Sequence, residues 1–324
     1  MPSELEASVV VATHDRAARL GALLAALRAQ TLPAERFEVI VVDDGSGDET
    51  AALLERETGR GGLQLRTLRL EPSRGRAAAR QRGWHEAAAP VVAFTDDDCE
   101  PSRGWLAAGL AACTGHPGAI VQGRTEPIAA ELERCGPWRR PFTRTIRVPA
   151  LDPGFATCNV FYPRALLERI GGFDVEAYGR VHGGEDSDLA WRAIATGARA
   201  AFAPEALVRH AVNRLGPLGK LRFAAGWELR AYADHPGLRR AHFSHLLFWK
   251  PSHYLLARAL LGLALPRRAR WLAPWLVAPY LRHLLDRGRV EGGGPLLAPY
   301  FALHDLIEIA TVARAALRYR TLML

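Results

Sequence analysis

Asp96, Asp97 and Asp98 stand in a row directly after the apolar run Val91-Val92-Ala93-Phe94. Adjacent carboxylates repel and raise one another's pKa. A buried strand that ends on three of them leads either into a solvated acidic turn or into a site for a cation. Asp96 and Asp98, two residues apart, offer hard oxygen donors of the kind that suit Mg2+ or Mn2+, ions that also accept phosphate oxygens. A second acidic group, Glu185-Asp186-Ser187-Asp188, opens a helical pattern with Trp191-Arg192 about one turn on. Acids in a first turn favour the helix dipole. Capping alone does not account for four features in order: GGFD, GEDSDL, WR and a distal histidine, His210, after an apolar strand. A third group, Asp43-Asp44-Gly45-Ser46, forms a tight turn in which Ser46 or Asp48 is placed to cap the next helix. An acid at a strand end can also accept hydrogen bonds from a base or a ribose. Arg74, Arg76, Arg80 and Arg82 recur in a stretch whose small residues 77–79 let a helix pack closely, either as a solvated basic helix face or as cationic contacts to a nucleotide.

The elements that must position these groups are readable as alternating patterns. Apolar runs at 8–12, 38–44, 64–70 and 90–94 predict strands, and 16–30, 48–58 and 74–88 predict helices. Near-continuous apolar strands alternating with helices indicate a parallel sheet buried on both faces. Ligands of such sheets sit beyond the C-terminal strand ends. Thr13-His14-Asp15, Asp43-Asp44 and Asp96-Asp97-Asp98 all fall there, on one rim. Residues 104–123 carry no formal charge, but TGHPG at 114–118 breaks the run into a helix, a turn and a strand. LGPLGK at 215–220 reads as a hinge, and beyond it come Arg- and Trp-rich apolar blocks.

With 324 residues, 49% of them hydrophobic, the chain supports a sizeable core and disorder is not the default. Its four cysteines form no CxxC pair, which fits a reducing, cytosolic setting without a zinc knuckle. The N-terminal stretch carries no signal-peptide pattern. Of 42 Lys and Arg, 18 lie in residues 209–324 with only 6 of the 34 Asp and Glu, so that third carries +12 and the rest −4. A basic segment suits nucleic acid, an anionic membrane or a solvated face. The arginines alternate with long aliphatic blocks and no nucleic-acid-binding motif appears, so no nucleic-acid partner is expected.

Taken in order, VVVATHDR, VIVVDDGS, GRAAARQRG, FTDDDCEPSRGWL, TCNVFYPRALLERIGGFD, EDSDLAWR and ALVRH closely resemble the family 2 glycosyltransferases, inverting enzymes of the GT-A fold, over roughly residues 7–212. The resemblance implies an α/β architecture with a Rossmann-like, mainly parallel central sheet flanked by helices. It implies transfer of a sugar from a nucleotide-diphosphate-sugar donor to an acceptor hydroxyl. Asp44, with Asp43 beside it, would contact the nucleobase, and Thr13, Asp15 and Arg80 would line the base and ribose pocket. Asp96 and Asp98 would form the DxD pair with Asp97 as their neighbour. Asp98 would be the direct ligand of Mn2+ or Mg2+, with His210 completing the site. Asp186 would be the base, flanked by Glu185 and rivalled by Asp188. Two departures stand at the rim: His14 where an aromatic such as Tyr is common, and Asp15 where Asn is common.

These readings set the expected organisation. Residues 1–213 form the catalytic domain and 214–324 a helical, basic and apolar C-terminal region. That region rests on the cytoplasmic face of the cell membrane, or packs as a helical subdomain; uncharged runs such as Trp271 to Leu281 are too short to span a bilayer. A glycan or lipid-linked acceptor of the cell envelope fits, with acceptor choice expected in residues 124–157. The alternative is a catalytically silent nucleotide-sugar-binding scaffold at the membrane.

Overall fold

The computed structural model describes residues 5–179, 183–227, 229–244 and 247–323. They form two compact units, one from the described residues of Met1–Ile128 with Thr145–Ala211, the other from Ala129–Arg144 with those of Val212–Leu324.

The first unit carries an eight-stranded sheet. Its strands are β1 (Ala7–Thr13), β2 (Phe37–Asp43), β3 (Gln64–Arg69), β4 (Val91–Phe94), β5 (Cys99–Pro101), β6 (Ile120–Pro127), then, past a short strand of the other unit, β7 (Thr143–Arg144), β8 (Val160–Pro163) and β9 (Ala200–His210). The order across the sheet is β3-β2-β1-β4-β8-β6-β9-β5. β3, β2, β1 and β4 run parallel, whereas β8 is antiparallel to both β4 and β6, and β5 is antiparallel to β9. Every residue of β2 and all but one of β1 are buried, as expected of central strands covered on both faces.

The flanking helices are α1 (Ala17–Arg28), α2 (Thr50–Arg60), α3 (Arg76–His85), α4 (Trp105–Gly115) and, after α5 (Ala129–Arg139) of the other unit, α6 (Arg164–Ile170), α7 (Val175–Tyr178) and α8 (Glu185–Ala195). Small residues let α3 press onto the sheet: a Cβ at Gly83 would lie 2.5 Å from the Val10 side chain. Residues 104–123 form the helix, turn and strand that their composition predicted.

Two registers place the acids. Thr13 pairs with Asp43, so the ends of β1 and β2 lie side by side. Val10 pairs with Phe94, so β4 stops three residues short of the end of β1 and Thr95–Asp98 continue along the rim. The chain then turns into β5, where Cys99 pairs with His210.

The second unit is mainly helical: α9 (Gly216–Ala225), α10 (Arg230–Asp234), α11 (Pro236–His242), α12 (Pro251–Leu263), α13 (Ala273–Glu291) and α14 (Ala298–Tyr319) accompany a two-residue strand, β10 (Asn213–Arg214), paired with β7. LGPLGK is not a hinge. It lies in α9, with Pro217 in the first turn, where its missing N–H is not needed. Residues 124–157 also hold more order than their sequence suggested, including the end of β6, α5 and a bridge between Thr125 and Val148.

The segment Gly294–Tyr319 is long and apolar enough to cross a membrane by length and composition. Its acids are nevertheless used inside the unit. Asp305 is fully buried and accepts hydrogen bonds from Tyr280 at 3.1 Å and Arg287 at 3.0 Å. Glu308 accepts one from Lys250 at 2.6 Å and lies 3.3 Å from His253 Nε2. Lys250 and Arg287 offset the charge of these acids within the chain. These pairs hold one face of α14, with buried Phe301, His304, Asp305 and Glu308, against its own unit.

Candidate active site

The strand pair β5–β9 builds the first cluster. The Ala211 N–H donates to the Asp98 carbonyl at 3.0 Å, and His210 Nε2 lies 3.5 Å from Asp98 Oδ1. His210 Nδ1 faces the Ala211 carbonyl at 2.8 Å, so that nitrogen carries the ring proton. The Nε2 lone pair is thereby left pointing at a carboxylate oxygen. Two acceptors facing each other in a buried setting call for a proton or a cation between them, and one nitrogen plus carboxylate oxygens is a donor set that Mn2+ and Mg2+ accept. Cys99 also lies within reach of such an ion. Mn2+ and Mg2+ prefer oxygen and nitrogen donors to a thiol, and burial pushes the Cys99 pKa up. The residues present therefore fit a divalent cation held by Asp98 and His210.

The other two acids of the run are bound elsewhere. Asp97 accepts hydrogen bonds from the Thr13 hydroxyl at 2.8 Å and from Arg16 at 3.1 Å. Burial pushes it up to about 6, with Arg16 and Thr13 opposing. Asp96 accepts from Arg80 Nη2 at 2.7 Å. Burial disfavours its charge, but the Arg80 guanidinium holds it below the ordinary carboxylate range.

Arg80 joins this rim to the head of α8. Its other terminal nitrogen lies 3.0 Å from Glu185 Oε1 and 3.4 Å from Asp186 Oδ1. Burial works against the guanidinium, yet Asp96, Asp186 and Glu185 together raise its pKa above the usual value. Both terminal nitrogens are engaged with carboxylates of this chain, so Arg80 braces the acids.

The three acids of α8 have different surroundings. The side chain of Glu185 is 3% exposed and also pairs with Arg76 at 2.6 Å. Asp188, 7% exposed, holds Arg192 at 2.8 Å, and Arg192 in turn donates to the carbonyls of Ile170 and Gly172. That clamp fixes the GGFD turn. Asp186 is 25% exposed; its second oxygen accepts from the Thr157 N–H at 3.1 Å. Burial first, and then Glu185, push its pKa up to about 6 against the pull of Arg80.

The strand ends of β1 and β2 interlock. Asp44 accepts from Ser73 Oγ and the N–H groups of Arg74 and Gly75 at 2.7–2.8 Å, which shapes the loop entering α3. Gly75 sits at φ +88°, and a Cβ there would lie 2.3 Å from the Gly179 carbonyl oxygen, so the loop requires glycine. Asp43 caps Ser46 N–H at 2.9 Å and pairs with Arg69. Asp15, at φ +51°, accepts from Gly47 N–H at 2.7 Å, and His14 Nδ1 contacts the Asp44 carbonyl.

Thr13, Asp97, Asp98 and His210 thus form one set, joined through Arg16, and Asp96, Glu185 and Asp186 a second, joined through Arg80; the two meet at the consecutive acids Asp96 and Asp97. Asp15, Asp43 and Asp44 organise the adjoining turns, and Asp188 faces the GGFD turn. Sequence reasoning missed Arg16, which donates to Asp98 Oδ2 at 2.9 Å as well as to Asp97. It also missed Arg76 and the Thr157 N–H as partners of the α8 acids. Arg16 directly follows Thr13-His14-Asp15 at a strand end, and that position was the available signal.

A parallel half-sheet extended by antiparallel strands, with acids beyond its strand ends, defines a GT-A-type glycosyltransferase fold. The model of glycosyl transferase family 2 matches residues 8–171, half of the chain, and the protein belongs to that family. It is 28% identical over 265 residues to glycosyltransferase AglE of Haloferax volcanii, covering 76% of this chain and 83% of that protein. It is 31% identical over 223 residues to the pre-mycofactocin glycosyltransferase of Mycobacterium tuberculosis, covering 64% of this chain but only 43% of that longer protein. The mannosyltransferase PcManGT of Pyrobaculum calidifontis, solved with GDP-Man and Mn2+, shares the fold with a TM-score of 0.61 at 24% identity, over 97% of this chain and 89% of that one.

Proposed function

We propose that the protein is an inverting glycosyltransferase that moves a sugar from a nucleotide-diphosphate-sugar to an acceptor hydroxyl, with Asp186 as general base and Asp98 and His210 holding Mn2+ or Mg2+. The observation that carries this is the Arg80 fork, which ties Asp96 of the cation rim to Asp186 of α8. Donor and base chemistry thereby share one buried brace. A bound divalent cation supplies positive charge to a departing diphosphate. Asp186, the most exposed acid of its helix, accepts the proton of the acceptor hydroxyl as that oxygen attacks the anomeric carbon. Attack opposite the leaving group in a single displacement inverts that carbon. Asp44 and Asp15 keep the donor-side turns in shape, and Asp188 keeps the GGFD turn in place through Arg192.

Residues 1–213 serve as the catalytic domain in this reading. The basic C-terminal region brings the enzyme to the cytoplasmic face of the cell membrane, where a lipid-linked or envelope glycan acceptor is found. Support comes from its charge of +11 over residues 214–324 and its exposed aromatic and aliphatic side chains. The test is release of nucleoside diphosphate from a panel of UDP-, GDP- and dTDP-sugars with Mn2+ or Mg2+. One donor class should turn over; donor binding without release or transfer under any condition would leave a silent binding scaffold.

Arg16 gives a separate expectation. Its guanidinium engages Asp97 and Asp98 in the donor-free structure, so it competes with a cation for Asp98. Arg16→Gln should tighten Mn2+ binding to the donor-free protein by about fivefold, the size expected for losing one half-exposed ion pair. Titration of free Mn2+ by electron paramagnetic resonance measures this; unchanged or weaker binding would show that Arg16 does not compete.

A further inference from the structure

The second unit sorts its aromatic residues into two sets. Trp249 and Tyr280 are buried core residues, whereas Trp271 and Trp275 are 71% and 75% exposed. The exposed pair belongs to one helical hairpin, α12 and α13 joined by the short helix Arg267–Leu272. The helices close tightly near the turn: a Cβ at Gly262 would lie 2.8 Å from the Leu276 side chain. Around that turn Leu260, Leu261, Leu263 and Leu272 are exposed as well. Arg267, Arg268 and Arg270, all exposed, stand between them. From His235 to Leu285 the sequence contains no Asp or Glu and eight Lys or Arg. The next acid, Asp286, lies about 16 Å beyond Trp275 along α13 at about 1.5 Å per residue.

We infer that this hairpin turn is the element that docks the protein on an anionic lipid surface, its Trp and Leu side chains entering the interface and its three arginines meeting lipid phosphates. Exposed Leu and Trp with flanking Arg is the composition of an interfacial anchor. Tryptophan favours the headgroup level, and long basic side chains keep their heads in the polar layer while their stems lie in the apolar one. Charge decides between this occupant and a second copy of the chain. In a two-fold pairing the same patch meets itself, so each arginine triplet would face its like. Lipid phosphates supply the opposite charge instead. The inference rests on the membrane reading above and assigns it to one turn of one hairpin.

Co-sedimentation of the full chain with phosphatidylcholine vesicles, with and without phosphatidylglycerol, tests it. The wild type should bind the anionic vesicles and lose binding as salt rises. Replacing all three of Arg267, Arg268 and Arg270 by Ala should weaken that binding about a hundredfold, since each basic residue at an anionic surface contributes about fivefold. Trp271→Ser with Trp275→Ser should weaken binding to both vesicle types, while Val290→Ser with Leu317→Ser, equally exposed outside the turn, should leave it unchanged. Donor turnover in vesicle-free solution reports that each variant is folded. If the wild type binds and the turn variants bind as well, this assignment is overturned while the membrane reading stands. If the wild type does not bind, both fall. A concentration-dependent dimer lost only in the Trp pair, without vesicle binding, would make the turn a self-interface and overturn the assignment too.

Discussion

Asp98→Asn is expected to lower the transfer rate by about three orders of magnitude, because a Lewis-acid cation contributes several kcal/mol to the transition state and each 1.4 kcal/mol is about tenfold in rate. The substitution keeps one oxygen and removes the charge. It leaves the backbone bond from Ala211 N–H to the Asp98 carbonyl in place, so the register of β5 on β9 should survive. Arg16, nearly half exposed, can turn to solvent when its partner loses charge. The unfolding temperature should therefore change little while Mn2+ binding, followed by electron paramagnetic resonance, weakens strongly. Chelation of the wild type with EDTA should reproduce the loss of activity, and re-addition of Mn2+ should reverse it in the wild type alone. Full activity in excess EDTA would remove the cation from the reaction.

The parts of the fold that could be read in advance are those where one residue property decides the outcome. Val9–Val11 and Val39–Val42 are buried on both faces, so their apolar runs announced central parallel strands. The antiparallel strand β8 did not announce itself. Its four residues pair with β4, far earlier in the chain, and a short apolar run says nothing about direction. Pro217 and two glycines suggested a break at 215–220, but proline in a first helical turn is tolerated, and α9 forms through Gly216 and Gly219.

The site divides along the same line. That acids gather past the strand ends follows from their positions in sequence. Which cation each acid takes does not, because an arginine fork selects partners by distances that only the folded chain sets. Arg80 could equally have pointed outward from its helix; burial against three carboxylates turned it into a brace. Asp186 and Asp188 were rivals in sequence because both head the same helix. A helix turns about 100° per residue, so acids two apart face different neighbours: Arg80 and Thr157 for one, Arg192 for the other.

That separation makes the second large effect specific. Asp186→Asn is expected to cost about two to four orders of magnitude in rate, the range of a general base, with donor binding retained. The amide oxygen still accepts from Thr157 N–H, and Arg80 keeps Glu185 and Asp96 as partners, so the local structure has no reason to collapse. Asp188→Asn, by contrast, weakens the Arg192 clamp on the GGFD turn and should lower the unfolding temperature while leaving most of the rate. The pH dependence adds an independent readout. A base works only when deprotonated, and Asp186 is pushed up to about 6 by burial and Glu185. Its protonated fraction therefore grows as pH falls through about 6, and the rate should drop about tenfold per unit below that value and level off above it. An ordinary aspartate, near 4, would keep the rate flat well below that point. The acid limb should vanish from the residual rate of Asp186→Asn and persist in Asp188→Asn. If Asp188→Asn is the inactive protein and Asp186→Asn turns over normally with its acid limb intact, the base is Asp188 and the clamp is secondary.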